Sequence, residues 1–241
     1  MRNNLRIHTL AGAALALFLV APAQALSINK SISIDANAQA EGATTVNGSI
    51  SVGNGATVTG ALETVNGTIR IDEDAVIRDA ETVNGSVKVG SGVMAEDISS
   101  VNGAIRIGEN VTISGEVSVV NGKIGVDSGS TISEHVSNVN GEIQISGAEI
   151  GGDLSTVNGD VWLDAGAVLR GNLTIEKPDG INRGKSNSRK PKIIIGPGSK
   201  VGGEIVAERE VELYISDTAE IGGVSGVMSL DQAIRFSGKR P

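Results

Sequence analysis

From Val46 onward, apolar and polar positions alternate in short bursts. Val46, Ile50, Val52, Val58 and Leu62 are interleaved with Ser49, Ser51, Thr57 and Glu63, the two-residue period of a strand with one buried face. Gly53-Asn54-Gly55 and Gly60 interrupt the alternation and mark corners. Three short strands and three corners within one stretch of 18–19 residues predict a triangular coil.

The same pattern returns down the chain. The triplet Val-Asn-Gly occurs seven times, with successive asparagines 19, 18, 18, 19, 19 and 18 residues apart. A period this short belongs to a solenoid whose coils bury their apolar faces only by stacking. The predicted fold is all-β: a single-stranded β-helix of about nine coils, roughly 40 Å long at one strand spacing per coil. Right-handed winding is favoured over left-handed. Three inward stacks are expected: Val46, Val65, Val83, Val101, Val120, Val139 and Val157; Ile50, Ile69, Val87, Ile105, Ile124, Ile143 and Val161; and Val52, Ile71, Val89, Ile107, Val126, Ile145 and Leu163. The extra residue of the 19-residue coils is expected on the third side, as a bulge. Asn47, Asn66, Asn84, Asn102, Asn121, Asn140 and Asn158 should lie one above another. Asn followed by Gly is a turn signal tolerant of left-handed backbone, and stacked amides are able to hydrogen-bond along the axis.

Around this repeat the chain divides into three parts. Residues 1–25 carry Arg2 and Arg6, an apolar run from Leu10 to Val20, and Ala23-Gln24-Ala25, the pattern of a secretory signal peptide cleaved after Ala25. Residues 26–227 form the solenoid, interrupted by a basic insertion at 176–192. Residues 228–241 are a cap or tail, in which Ser229 and Gln232 make a capping-box pattern ahead of Ala233, Ile234 and Phe236. A short amphipathic helix covering the open end is expected there. The expected location is the periplasm or the exterior, with no transmembrane segment.

Composition narrows the function classes. The chain has no cysteine, so an exported form relies on burial and hydrogen bonds without disulfides. Cleavage after Ala25 would leave 18 basic against 28 acidic residues, a net charge that argues against nucleic-acid partners. Beyond the leader the only aromatics are Trp162, Tyr214 and Phe236, few for a sugar-binding surface.

The segments Val52-Gly-Asn-Gly-Ala-Thr-Val-Thr-Gly60 and Ile195-Gly-Pro-Gly-Ser-Lys-Val-Gly-Gly-Glu-Ile-Val-Ala-Glu208 resemble the bactofilins, polymer-forming bacterial cytoskeletal proteins. The likeness covers roughly residues 45–225. It implies a right-handed β-helix that associates end to end without nucleotide. The signal peptide and the Val-Asn-Gly repeats depart from that family's pattern. The six-residue spacing of Val46, Val52 and Val58 is also similar to the left-handed hexapeptide-repeat acyltransferases, which would imply an acyl donor.

Candidate chemistry is sparse. Asp97, Glu116, His135 and Asp153 each precede an inward residue and should form one outward column. A histidine among carboxylates suits metal binding or general acid–base work, as in a β-helix carbohydrate-active enzyme, but a solvated acidic face is the favoured reading. A second outward column runs Ser51, Arg70, Lys88, Arg106, Gly125, Gln144, Trp162, Ile194 and Tyr214. Its cations would suit an anionic envelope polysaccharide, and Trp162, Ile194 and Tyr214 a lateral contact. The insertion carries Lys177, Arg183, Lys185, Arg189, Lys190 and Lys192 against Glu176 and Asp179. No cofactor or metal motif is present, and Asp72-Glu73-Asp74 alone is too short for a calcium site. The expected role is non-catalytic: an exported scaffolding solenoid that partners with itself. The alternatives are an adhesin-like rod binding anionic polysaccharide, and a carbohydrate-active enzyme.

Overall fold

The computed structural model describes residues 26–178 and 189–241. The signal-peptide region, and Arg183 and Lys185 of the basic insertion, lie outside the described residues. The fold is a parallel β-solenoid. A representative coil has strands Ile50–Val52, Thr57–Val58 and Leu62–Asn66, one for each of three faces. Each strand pairs in parallel with its counterpart in the next coil, as in Ile50↔Ile69, Val58↔Ile77 and Leu62↔Ala80. The first face is an 11-stranded sheet from Ile32–Ile34 to Ile234–Phe236. The second and third faces merge into one 19-stranded sheet, because the strand Lys200–Ala207 runs through the corner between them.

About ten coils stack, one more than the sequence pattern suggests. The stretch from Ser31 to Thr44, which reads in the sequence as a degenerate first coil, does form one, with Ile32–Ile34, Gln39–Ala40 and Ala43–Thr45 on the three faces, and the tail strand Ile234–Phe236 extends the first face beyond the expected coils. The extra residue of the longer coils sits in the corner entering the third face, outside the strands. Ser114, Gly115 and Glu116 separate Ile113 from Val117, where Glu96 and Asp97 alone separate Ala95 from Ile98.

On the first face the two expected core stacks are present. Ile50, Ile69, Ile105, Ile124 and Ile143, like Ile71, Ile107, Val126 and Ile145, are at most 1% exposed. Burying an aliphatic side chain of this size stabilises by roughly 1.5–3 kcal/mol. The third face overturns an expectation. The Val-Asn-Gly valines are only half-buried and lie outside the core cluster, and the residue before each one points inward instead. That inward row reads Thr45, Thr64, Thr82, Ser100, Val119, Asn138 and Thr156, all buried. Alternation within the strand starts from inward Leu62, so Thr64 is inside and Val65 outside. Polar side chains survive there because the preceding corner offers acceptors. Thr64 Oγ1 donates to the Gly48 carbonyl, Thr82 Oγ1 to Gly67 and Ser100 Oγ to Gly85.

The glycine of the triplet follows from the same close approach. A Cβ on Gly67, Gly85 or Gly103 would stand 1.7–1.9 Å from a carbonyl oxygen of the coil before it. Left-handed backbone, the reason expected from the sequence, is absent from all seven asparagines and is found among these glycines only at Gly141. It occurs instead at the corner between the first and second faces, at Asn37, Gly55, Asp74, Gly92, Asn110 and Gly129. Asp72-Glu73-Asp74 is one such corner.

The C-terminal tail also differs from expectation. Leu230–Gln232 form a single 3-10 turn, closed by the Ser229 N–H donating to Gln232 Oε1 at 3.0 Å. Ile234–Phe236 then add a parallel strand beside Glu212–Ser216. Too few residues remain to stabilise a helix, whereas the open sheet edge offers hydrogen bonds at once. Among the described residues no helix is long and apolar enough to cross a membrane.

Two glycines separate close approach from mere flexibility. Gly103→Ala should destabilise the chain by about 1–3 kcal/mol, since backbone must shift to admit the methyl group. Gly125→Ala, whose Cβ would meet nothing within 4 Å, should stabilise by about 0.5–1 kcal/mol. Urea unfolding of the two variants checks both signs.

Candidate functional site

Because the coils stack in register, outward side chains form straight rows about 4.8 Å apart from coil to coil. At the corner after the third face, the asparagines of the triplet make a continuous amide ladder. Each Nδ2 donates to the Oδ1 of the asparagine one coil before it, over 2.8–3.0 Å from Asn66 to Asn158. The ladder starts one rung earlier than the triplets do, with Asn47 donating to Asn29. Triplet spacing misses Asn29 because Lys30 follows it. At the other end, Arg209 Nη1 donates to Asn158 Oδ1 at 2.7 Å and to the Val157 carbonyl at 3.2 Å. A cation thus closes the ladder at its acceptor end, where aligned amide dipoles concentrate negative potential. Arg209 lies 51 residues from Asn158, and no local signal marks it.

The third face carries three outward rows. Asp97, Glu116, His135 and Asp153 stand at its entry corner, as the sequence suggests, but several of them are engaged with backbone. Asp97 Oδ1 accepts the Glu116 N–H at 2.8 Å, His135 Nδ1 accepts the Asp153 N–H at 2.9 Å, and Asp153 Oδ1 accepts the Asn172 N–H at 2.7 Å. These bonds supply acceptors to corner N–H groups. Among the described residues no three His, Cys, Asp or Glu side chains converge closely enough to hold a metal ion.

Beside this row runs Thr44, Glu63, Glu81, Ser99, Ser118, Ser137 and Ser155, and beside that the half-buried valines. Burial holds the Glu81 carboxyl above the usual carboxylate range, and Glu63, Asp79 and Asp97 add repulsion. Burial raises Glu63 as well; the Thr44 hydrogen bond opposes this and Asp79 adds to it. Glu116 is raised by burial and by Asp97 and Glu134, with His135 opposing.

The first face carries the other expected column in unbroken register, from Ser33 and Ser51 through Arg70, Lys88, Arg106, Gly125, Gln144, Trp162 and Ile194 to Tyr214. It contains no carboxylate. Arg70 is bound by Asp72 at 2.8 Å, and a shallow groove of about 350 Å³ lies between Asn54, Arg70, Glu73 and Lys88. The aromatic end is less open than expected. Ile194 is only 3% exposed, Lys192 Nζ lies 4.9 Å from the Tyr214 ring centre, and Arg240 of the tail lies 5.6 Å from that of Trp162. The basic insertion is anchored through its described end, with Arg189 paired to Asp160 and Lys190 to Glu210.

Two measurements test these assignments. Asn102→Ala removes two ladder bonds and should lower stability by about 1–2 kcal/mol, and Asn102→Asp should lower it further by setting a carboxylate against Asn84 Oδ1. For Glu63, Glu81 and Glu116 the folded state prefers the protonated form. Their contribution is complete below the unfolded carboxylate range and is lost as pH rises through the raised folded values. The thermal midpoint of Glu81→Gln should therefore exceed that of the parent at pH 7, with the gap closing in acid.

Compared with known proteins, the chain matches no family model, no curated protein and no solved structure.

Proposed function

We propose that this chain is an exported, non-catalytic structural rod of the bacterial envelope that assembles with itself end to end. The observation carrying this reading is the chemistry of the two ends. Four of the five large exposed apolar side chains among the described residues lie there: Ile28 at one end, and Val227, Leu230 and Ile234 at the other. The core residues left partly open are also terminal, Ile32, Ala38 and Ala40 against Ala219, Ile221, Val224, Met228 and Ala233. The outermost strands keep one hydrogen-bonding edge unpaired within the described chain, Ile32–Ile34 and Gln39–Ala40 at one end, Glu220–Gly226 and Ile234–Phe236 at the other. Joining opposite ends of two copies continues both the sheets and the core, and such a head-to-tail contact repeats without closing. The resemblance to bactofilins supports the same reading, and the leader-like residues 1–25 support export. A non-catalytic role is supported by the corner column, in which Asp97, His135 and Asp153 accept backbone N–H groups.

A second reading, an anionic polysaccharide lying along Arg70, Lys88 and Arg106, is favoured by the absence of carboxylates from that column.

Light scattering and negative-stain microscopy of the purified chain separate the two. End-to-end assembly predicts rods that lengthen with concentration in multiples of about 48 Å, ten strand spacings. The double variant Leu230→Lys/Ile234→Lys should hold them at one length. Single rods at every concentration would sink this reading. If those rods were also retained on an immobilised polyanion, and released by Lys88→Glu, the polysaccharide reading would replace it.

A further inference from the structure

The half-buried valines have no role in the monomer's core, yet the same residue stands at the same outward position in seven consecutive coils. Strand propensity alone does not explain this, because threonine serves at other outward positions such as Thr57, Thr112 and Thr131. We propose that the valine stripe of the third face is the interface of an antiparallel, two-fold pair of copies of this chain.

The row beside the valines leaves the surface low and even: Ser118, Ser137 and Ser155 are 2%, 9% and 2% exposed.

Geometry decides the orientation. A two-fold axis lying in the interface and crossing the stripe keeps each row facing its own row while inverting the coil order. Valine then meets valine, with Val101 on the axis, Val83 against Val120, Val65 against Val139 and Val46 against Val157. Glu63 falls opposite Ser137, and Glu81 opposite Ser118. A two-fold axis along the solenoid, set over the valines, instead reverses the order of the rows: Glu63 then falls opposite the partner's Gly67 corner, and less of each sheet is covered. The area is sufficient. Seven coils, with third-face strands of three to five residues, give a patch of at most about 17 Å by 34 Å, roughly 580 Å² on each copy, or about 1,150 Å² in all, above the roughly 1,000 Å² that a specific interface needs.

The absence of cysteine allows a direct test on the full chain with single-cysteine variants and a short bis-maleimide. Val101→Cys should cross-link to itself. Val65→Cys should not, but a mixture of Val65→Cys and Val139→Cys should cross-link between copies. Small-angle scattering of the Leu230→Lys/Ile234→Lys chain, whose ends are blocked, should show doubled mass at an unchanged maximum dimension. Val101→Lys should weaken the pair at least tenfold while circular dichroism and the thermal midpoint stay near the parent's. Val101→Thr, which keeps the side-chain shape, should weaken it less. Self-cross-linking of Val65→Cys as efficient as that of Val101→Cys would overturn the antiparallel arrangement. A chain with blocked ends that remains monomeric at high concentration would overturn the interface itself. Loss of lengthening with retention of the pair would count against end-to-end assembly alone, so the two ideas fail separately.

Discussion

Hydrogen bonds between the backbones of successive coils set the axial rise at one strand spacing, and every side chain has to fit within that distance of its counterpart above and below. Inward positions are therefore filled by residues that stack on near-copies of themselves, isoleucine on isoleucine and valine on isoleucine. The corner after the third face is tighter still. There the next coil's α-carbon approaches a carbonyl oxygen so closely that a methyl group has no room, and glycine recurs in seven successive coils.

The same rise turns polar side chains into one-dimensional systems. Where the group is both donor and acceptor, as in asparagine, repetition is favourable: each amide satisfies its neighbours, and only the two ends need separate treatment. Arg209 meets that need at the acceptor end. Where the group is a carboxylate, repetition brings like charges together. The molecule uses such residues at the entry corner of the third face, where Asp97 and Asp153 accept backbone N–H groups and Arg78 binds Asp79. Glu63 and Glu81 have less compensation, which is why burial and their neighbours push both carboxyls upward.

A solenoid satisfies its middle coils on both sides and its terminal coils on one. This asymmetry places the exposed apolar residues of the first and last coils where a further copy would bury them. The lateral faces differ from one another as well. The first presents a cationic and then aromatic column partly covered by the chain's own Lys192 and Arg240. The third presents valine beside serine and glutamate with no comparable cover from the tail. Ends and sides are thus separate surfaces, and self-association through one does not require the other.

By itself the sequence determined the period, the number of faces, the two core stacks of the first face and the alignment of the asparagines. Those features follow from alternation and repeat length, which are properties of the chain read in order. It did not determine which way the third-face residues point. Alternation fixes parity only within one strand, and the Asn-Gly corner after each third-face strand resets it, so inward Ile69 does not place Val65 inside; counted from Leu62, Thr64 lies inside and Val65 outside. The fate of the tail was likewise decided by tertiary structure, since a Ser-x-x-Gln pattern nucleates a turn, but the neighbouring sheet edge captured what came next. Arg209 and Asn158, Arg240 and Trp162 meet only because stacking brings distant segments within a few ångströms, and nothing near either residue in the chain announces its partner.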